Sequence, residues 1–198
     1  PVCLPLDENH PIRATNPYGQ NKIDIEEMLI KDKYFQTECS VKILRYFNPV
    51  GAHSSGMFGE YPVGIPNNLM PYILKVAKNN LPLVNVFGND YSTHDGTGVR
   101  DYIHIMDLAY GHISALNYSR KGVSIFNLGT GKGYSVLDLI HTFQNVNKIK
   151  IPYKFVERRS GDVDEVFANP SKAIEILEFK SKFNLEQMCF DAWNFEKN

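Results

Sequence analysis

The sequence predicts an α/β protein built from parallel crossover units. Strand-like and helix-like segments alternate along all 198 residues, 43% of the chain is apolar, and no internal repeat or low-complexity tract interrupts the alternation. That much apolar side chain fills one large domain or two modest ones.

In chain order, residues 1 to 16 read as an extended or looped approach that ends in a polar Thr-Asn pair. Pro17 suits a first helical turn, where its missing N–H costs nothing. A helix is predicted from about 17 to 33, with Ile25, Met28 and Leu29 as its core stripe. VKILRYF at 41–47 reads as a strand. The glycine- and proline-rich stretch from Asn48 to Pro66 is long for a connector and reads as a binding loop. Next come a helix in NLMPYILKVAKN with Asn67 or Asn68 as its N-cap, and a strand in LVNVFG at 83–88. A short strand at 101–105 and a helix from about Asp107 to Tyr118 follow. After a strand in SIFNLG at 124–129, Ser135 caps a helix over 135–146. A strand in PYKFVE, a short helix near Pro170 and a terminal helix in LEQMCFDAWNFEKN complete the pattern.

The bulk chemistry excludes several functions. Lysine and arginine total 21 against 22 acidic residues, a formal charge of -1, so no overall basic field exists to attract nucleic acid. Cys3, Cys39 and Cys189 are far apart and form no CxxC pair, which points to a reducing compartment and away from zinc. No apolar run is long enough for a membrane helix, and PVCLPLDENHP lacks the basic start and apolar block of a signal peptide. The expectation is a cytoplasmic protein, without membrane or nucleic-acid partners, whose first residues are missing.

Within TNPYGQNKIDIEEML, Tyr18 and Lys22 are four apart and share a helix face. A phenol is a poor base at neutral pH, but a neighbouring ammonium favours the phenolate, and such a tyrosine could take a proton from an alcohol. On spacing alone the pair reads as a half-buried tyrosine beside a solvated lysine. Arg100 and Arg159 offer planar forks of donors to an anion, although each alone reads as a surface arginine. Arg45 reads as an ion-pair residue, and Val86 and Phe87 as strand packing. His94, His104 and His112 form no metal pattern and read as structural or surface groups. GTGKG at 129–133 follows a strand but reads as a helix-entry turn.

Taken together, NPYGxxK, RYFNPVGAH, GIPNNLMPYI, VFGNDY, DGTGVRDYIH and FNLGTG resemble the extended short-chain dehydrogenase/reductase family, and within it the UDP-glucose 4-epimerases. The resemblance spans essentially the whole chain. It implies an incomplete NAD-binding Rossmann domain with a smaller mixed α/β substrate-binding domain. Residues 1–48 would be the C-terminal part of the NAD-binding domain, and 49–198 mainly a UDP-sugar region with segments around 101–128 returning to the first. The family's glycine-rich NAD loop and its catalytic Ser or Thr would fall before Pro1, which makes this the C-terminal part of a longer enzyme.

The resemblance also implies roles. Tyr18 would be the acid/base at the sugar 4-hydroxyl, Lys22 would hold the nicotinamide ribose, and Tyr46 would neighbour the nicotinamide of NAD. Asn48, Asn68 and Leu69 would touch the substrate, and Asn85, Val86 and Phe87 would wrap the uracil. Arg100 and Arg159 would clamp the diphosphate, with Asp162 on the ribose hydroxyls. Val166 would line the sugar pocket, where a residue of this size admits an N-acetyl group. UDP-glucose and UDP-galactose are the implied substrates, joined by UDP-GlcNAc and UDP-GalNAc through Val166, and a homodimer is the implied assembly. Asn21 and Ser160 depart from the family pattern without removing a named group. The alternatives are a nucleotide-sugar dehydratase or decarboxylase of the same extended family, and a non-catalytic nucleotide-sugar-binding protein.

Overall fold

A computed structural model describes every residue except Val2, Thr15 and Ile65, so the Thr15 half of the polar pair before the first helix lies outside the described residues. The elements are α1 (Pro17–Lys31), α2 (Lys33–Thr37), β1 (Ser40–Tyr46), β2 (Asn48–Val50), α3 (Leu69–Ala77), β3 (Val84–Phe87), β4 (Val99–Arg100) and β5 (Tyr102–His104). They continue with α4 (Ile105–Asn117), β6 (Gly122–Leu128), β7 (Tyr134–Ser135), α5 (Val136–Asn147), β8 (Tyr153–Val156), β9 (Glu165–Val166), α6 (Ser171–Leu177) and α7 (Leu185–Glu196).

Parallel pairing dominates, as the alternation requires. β1 and β6 run in register from Ser40↔Gly122 to Tyr46↔Leu128. β2 pairs with β5 and β3 with β8, also parallel. In the remaining sheet β4 lies between an antiparallel β7 and a parallel β9, with Arg100 opposite Val166. Two apolar cores result. One, around Ile103, Phe126, Leu128 and Leu177, sits against β6. The larger one joins α3, α5 and α7 through Ile73, Leu139, Phe143 and Met188, and buries Cys189.

Side-chain caps fix several helix starts. Asn16 accepts the Gly19 N–H ahead of Pro17. Ser135 and Asp138 form a reciprocal capping box at α5. His104 caps α4, its Nδ1 accepting the Met106 N–H at 3.0 Å.

Some expectations need correction. α1 stops at Lys31 because the next residue, Asp32, leaves the helical conformation and caps α2 instead. Its expected core stripe is not buried: Ile25 and Met28 are half exposed or more, and no residue of α1 is fully enclosed. The helical spacing was read correctly, but no element among the described residues covers that face. Asn68 sits at the N-cap position of α3, yet its side chain makes no capping hydrogen bond. β7 and β9 are two residues each, too short for periodicity to reveal. No helix among the described residues is long and apolar enough to cross a membrane.

Candidate active site

A cavity of about 500 Å³ opens where β2, the start of α3, β3 and β4 converge. Asn48 enters it from β2, Asn67, Asn68 and Leu69 from the start of α3, and Asn85 and Phe87 from β3. Arg100, Arg159 and Asp162 come from β4 and from the loop after β8. The free Asn68 side chain and the first N–H groups of α3 therefore face a site suited to an anion. Val86 does not line the cavity. Strand alternation turns it to the opposite side from Asn85 and Phe87, and it is sealed in the larger core. Its side chain has the packing role that its strand position suggested.

Asp162 brings the two arginines together. Arg159 Nε donates to Asp162 Oδ2 at 3.0 Å, and Arg100 Nη2 lies 3.9 Å from Oδ1. Arg100 Nη1 also donates to the carbonyls of Val99 and Val163, at 2.8 and 3.0 Å, so this guanidinium is held by backbone as well as by charge. The Arg159 guanidinium lies 4.8 Å from the centre of the Phe87 ring. The result is a partly neutralised cationic wall beside an aromatic face.

Two enclosed polar atoms on cavity residues have no hydrogen-bond partner: Asn85 Oδ1 and Tyr91 OH. Burial raises the Tyr91 pKa above the usual phenol value, and Asp162 adds to that shift against the opposing pull of Arg158, Arg100 and Arg159. At neutral pH the hydroxyl keeps its proton and remains a donor. Unpaired buried polar groups are costly in an empty site and become useful when a polar ligand arrives.

The Tyr18–Lys22 pair stands on the first turns of α1, outside this cavity lining. Lys22 Nζ lies 5.3 Å from the centre of the Tyr18 ring, so the two side chains do meet as their spacing suggests. Glu26, one turn further on, forms a bidentate ion pair with Arg45 near the end of β1, at 2.5 to 3.2 Å. This pair ties α1 to the strand end where Tyr46 is exposed and Asn48 begins β2. Tyr18, at 72% exposure, is open to a large ligand. Val166 is likewise outside the cavity lining, but it is fixed beside it by its pairing with Arg100.

Other residues belong to the site that sequence reasoning did not single out. Tyr72, Tyr91, Tyr102 and Val136 line the cavity. Tyr91 and Tyr102 lie inside VFGNDY and DGTGVRDYIH, and their place in those strings was the available signal. His94, Asp95 and Asp138 bring candidate ligand atoms within 4.8 Å of one another. Their carboxylates are already used locally, Asp95 by Thr97 and Ser135 and Asp138 by the capping box. His104 is buried and structural, and residues 129–133 form the turn between β6 and β7.

The chain matches the family model for GDP-mannose 4,6 dehydratase over residues 2–192. It is 50% identical over 200 residues to the UDP-glucose 4-epimerase of Bacillus subtilis, an alignment that covers 100% of this chain and 59% of that enzyme. The crystal structure of the UDP-glucose 4-epimerase from Stenotrophomonas maltophila with bound NAD and formylated UDP-arabinopyranose superimposes with a TM-score of 0.96. It has 44% identity and covers 98% of this chain and 59% of that one. The Bifidobacterium longum UDP-glucose 4-epimerase in complex with NAD+ and UDP gives a TM-score of 0.93 at 45% identity, covering 98% of this chain and 58% of that one. The chain thus spans about six tenths of the length of the relatives it matches. With the family model matched along nearly all of its length and an α/β Rossmann-like fold in common with these enzymes, the chain belongs to the GDP-mannose 4,6 dehydratase family, within the extended short-chain dehydrogenase/reductases.

Proposed function

We propose that the full-length protein containing this chain interconverts UDP-glucose and UDP-galactose at C4, with NAD as resident cofactor. One observation carries the reading: a single cavity gathers Asn48, Asn68, Leu69, Asn85, Phe87, Arg100, Arg159 and Asp162, which offer an anion-binding wall, an aromatic face and unpaired polar atoms in one place. That combination suits a nucleoside diphosphate, whose negative charge meets arginines and whose base lies against an aromatic ring. The identity to UDP-glucose 4-epimerases along this whole chain supports the choice of substrate.

In this reading Tyr18 exchanges a proton with the sugar 4-hydroxyl, and Lys22 favours the phenolate through its charge while donating to the nicotinamide ribose. Tyr46 packs beside the nicotinamide. NAD, when bound, supplies a reversible hydride acceptor at the sugar carbon. Arg100, Arg159 and the start of α3 hold the diphosphate while the sugar presents either face, and Asp162 accepts from ribose hydroxyls.

We assign residues 1–48 and the β6 strand that pairs with β1 to the cofactor-binding domain, and the cavity-bearing remainder mainly to the substrate domain. Three free cysteines fit a cytoplasmic setting. A homodimer is included in the proposal for the full-length protein.

The test is epimerisation of UDP-galactose by the full-length protein, paired with Tyr18→Phe. The variant should lose about 10²- to 10⁴-fold in kcat. Wild-type turnover in Tyr18→Phe would remove the base assignment, and release of a 4-keto-6-deoxy sugar in place of UDP-glucose would establish a dehydratase instead.

A further inference from the structure

Asp101 lies between two cavity residues, Arg100 and Tyr102, but its own carboxylate is completely buried and faces away from the ligand space. A buried carboxylate ordinarily needs a cation. Here its hydrogen-bond donors are neutral. Oδ1 accepts from the Thr130 N–H at 2.9 Å and the Thr130 hydroxyl at 2.6 Å, and Oδ2 from the N–H groups of Gly131 and Ala168 at 3.0 and 3.1 Å. Its backbone adds two more links: the N–H donates to the Val166 carbonyl, and the carbonyl accepts from the Asn48 N–H, both at 3.0 Å.

One residue therefore joins the beginning of β2, the turn after β6 and the strand that carries Val166. The first of these segments lines the proposed UDP-sugar site through Asn48, and the strand with Val166 lies next to it through the pairing with Arg100. The turn is shaped to the carboxylate as well: a Cβ added at Gly129 would stand 2.6 Å from Asp101 Oδ2 and 2.6 Å from the Ala168 Cβ. Burial pushes the Asp101 pKa up, while the donors from Thr130, Ala168 and Gly131 pull it down. Three backbone N–H groups thus converge on one side chain that lies outside the cavity lining.

We propose that Asp101 is a positioning residue for substrate binding: its carboxylate fastens the β4–β5 junction that carries Arg100 to the turn after β6 and to Ala168, two residues beyond Val166, so that the diphosphate and sugar contacts are held in one geometry. This rests on the reading of the cavity as a UDP-sugar site. Tyr18 and Lys22 stand on α1 and share none of Asp101's hydrogen bonds, so loss of the carboxylate should weaken binding more than the chemical step.

The experiment uses the full-length protein with its cofactor, and compares wild type, Asp101→Asn and Thr130→Ala. Asparagine keeps the shape but sets an amide donor against backbone donors, and alanine removes the shortest hydrogen bond to the carboxylate together with the hydroxyl's local bonds to the Lys132 backbone. For Asp101→Asn the expected result is a KM for UDP-galactose and a calorimetric Kd for UDP both raised about tenfold, with kcat within about threefold of wild type. Thr130→Ala should move KM and Kd the same way by about threefold, and decides the matter if Asp101→Asn does not fold. Unchanged KM and Kd in a folded Asp101→Asn, or in Thr130→Ala where Asp101→Asn fails to fold, would overturn the proposal, as would a kcat loss as large as the KM change. A wild-type protein that binds no UDP would instead bring down the cavity reading, and the positioning role with it.

Discussion

At Tyr91 the physics of one atom sets two effects against each other. Its hydroxyl is enclosed and unpaired, a cost of about 1 to 3 kcal/mol in the ligand-free protein. Tyr91→Phe removes that cost along with the donor. The ligand-free variant should therefore melt at or above the wild-type temperature and bind UDP about five- to tenfold more weakly. Thermal melts with and without UDP measure both, and a variant that melts lower with unchanged UDP affinity would show the hydroxyl to be structural. Val166 carries a specificity prediction of the same kind. The full-length enzyme should turn over UDP-GalNAc, and Val166→Tyr should reduce that activity by about tenfold or more while sparing UDP-galactose, because added bulk excludes the larger sugar. Residue identity made much of this wall readable in advance. Arg100 stands in DGTGVRDYIH, Asn48 in RYFNPVGAH and Asn68 in GIPNNLMPYI, three of the strings that carry the family resemblance. Asp101 did not emerge, because a carboxylate bound by backbone N–H groups from distant turns leaves no spacing pattern of its own.

Helices and strands longer than about five residues were legible from periodicity, and the Ser135 cap from its position before an apolar stripe. The two-residue β7 and β9 were not, since their pairing with β4 is decided by tertiary contact alone. The same limit hid the partner of His104. Its Nδ1 is occupied as acceptor of the Met106 N–H, so the ring proton belongs on Nε2, 3.2 Å from Asp191 Oδ2. Burial holds the ring pKa below its ordinary 6.5, outweighing the opposing pull of Asp191. In the unfolded chain the ring gains its proton near 6.5; in the fold it gains it only at lower pH. Its contribution to stability is thus fully present above about 6.5 and is lost as pH falls toward the folded value. Melting temperature should drop between pH 7 and 5, and His104→Asn, which retains a capping acceptor, should show a shallower slope over that interval. An equal slope in the variant would place the acid sensitivity elsewhere. At α5, Ser135→Ala removes the cap and the bond to Asp95 together, and should cost about 1 to 2 kcal/mol, seen as a melting temperature lower by roughly 2 to 8 °C.

Across the whole molecule, the cavity and the Tyr18–Lys22 pair depend on this chain to different degrees. The wall proposed to hold UDP runs from Asn48 to Asp162, around a core closed by α3, α5 and α7. The helix of Tyr18 and Lys22 is tied to β1 by the Glu26–Arg45 ion pair, its Ile25 and Met28 are uncovered, and no G-x-x-G-x-x-G loop occurs in the 198 residues to cradle a dinucleotide pyrophosphate. Ligand binding and turnover should therefore separate when the 198-residue chain is produced alone. UDP should raise its melting temperature, by the mass-action stabilisation that any ligand confers on the folded state. Added NAD should yield no epimerisation of UDP-galactose, and the open α1 face should drive concentration-dependent self-association in sedimentation. Turnover by the chain alone would show that the cofactor can be held without a glycine loop. A melting temperature indifferent to UDP would show that the wall needs support from outside these residues, and would shift the weight of substrate recognition away from the arginine pair.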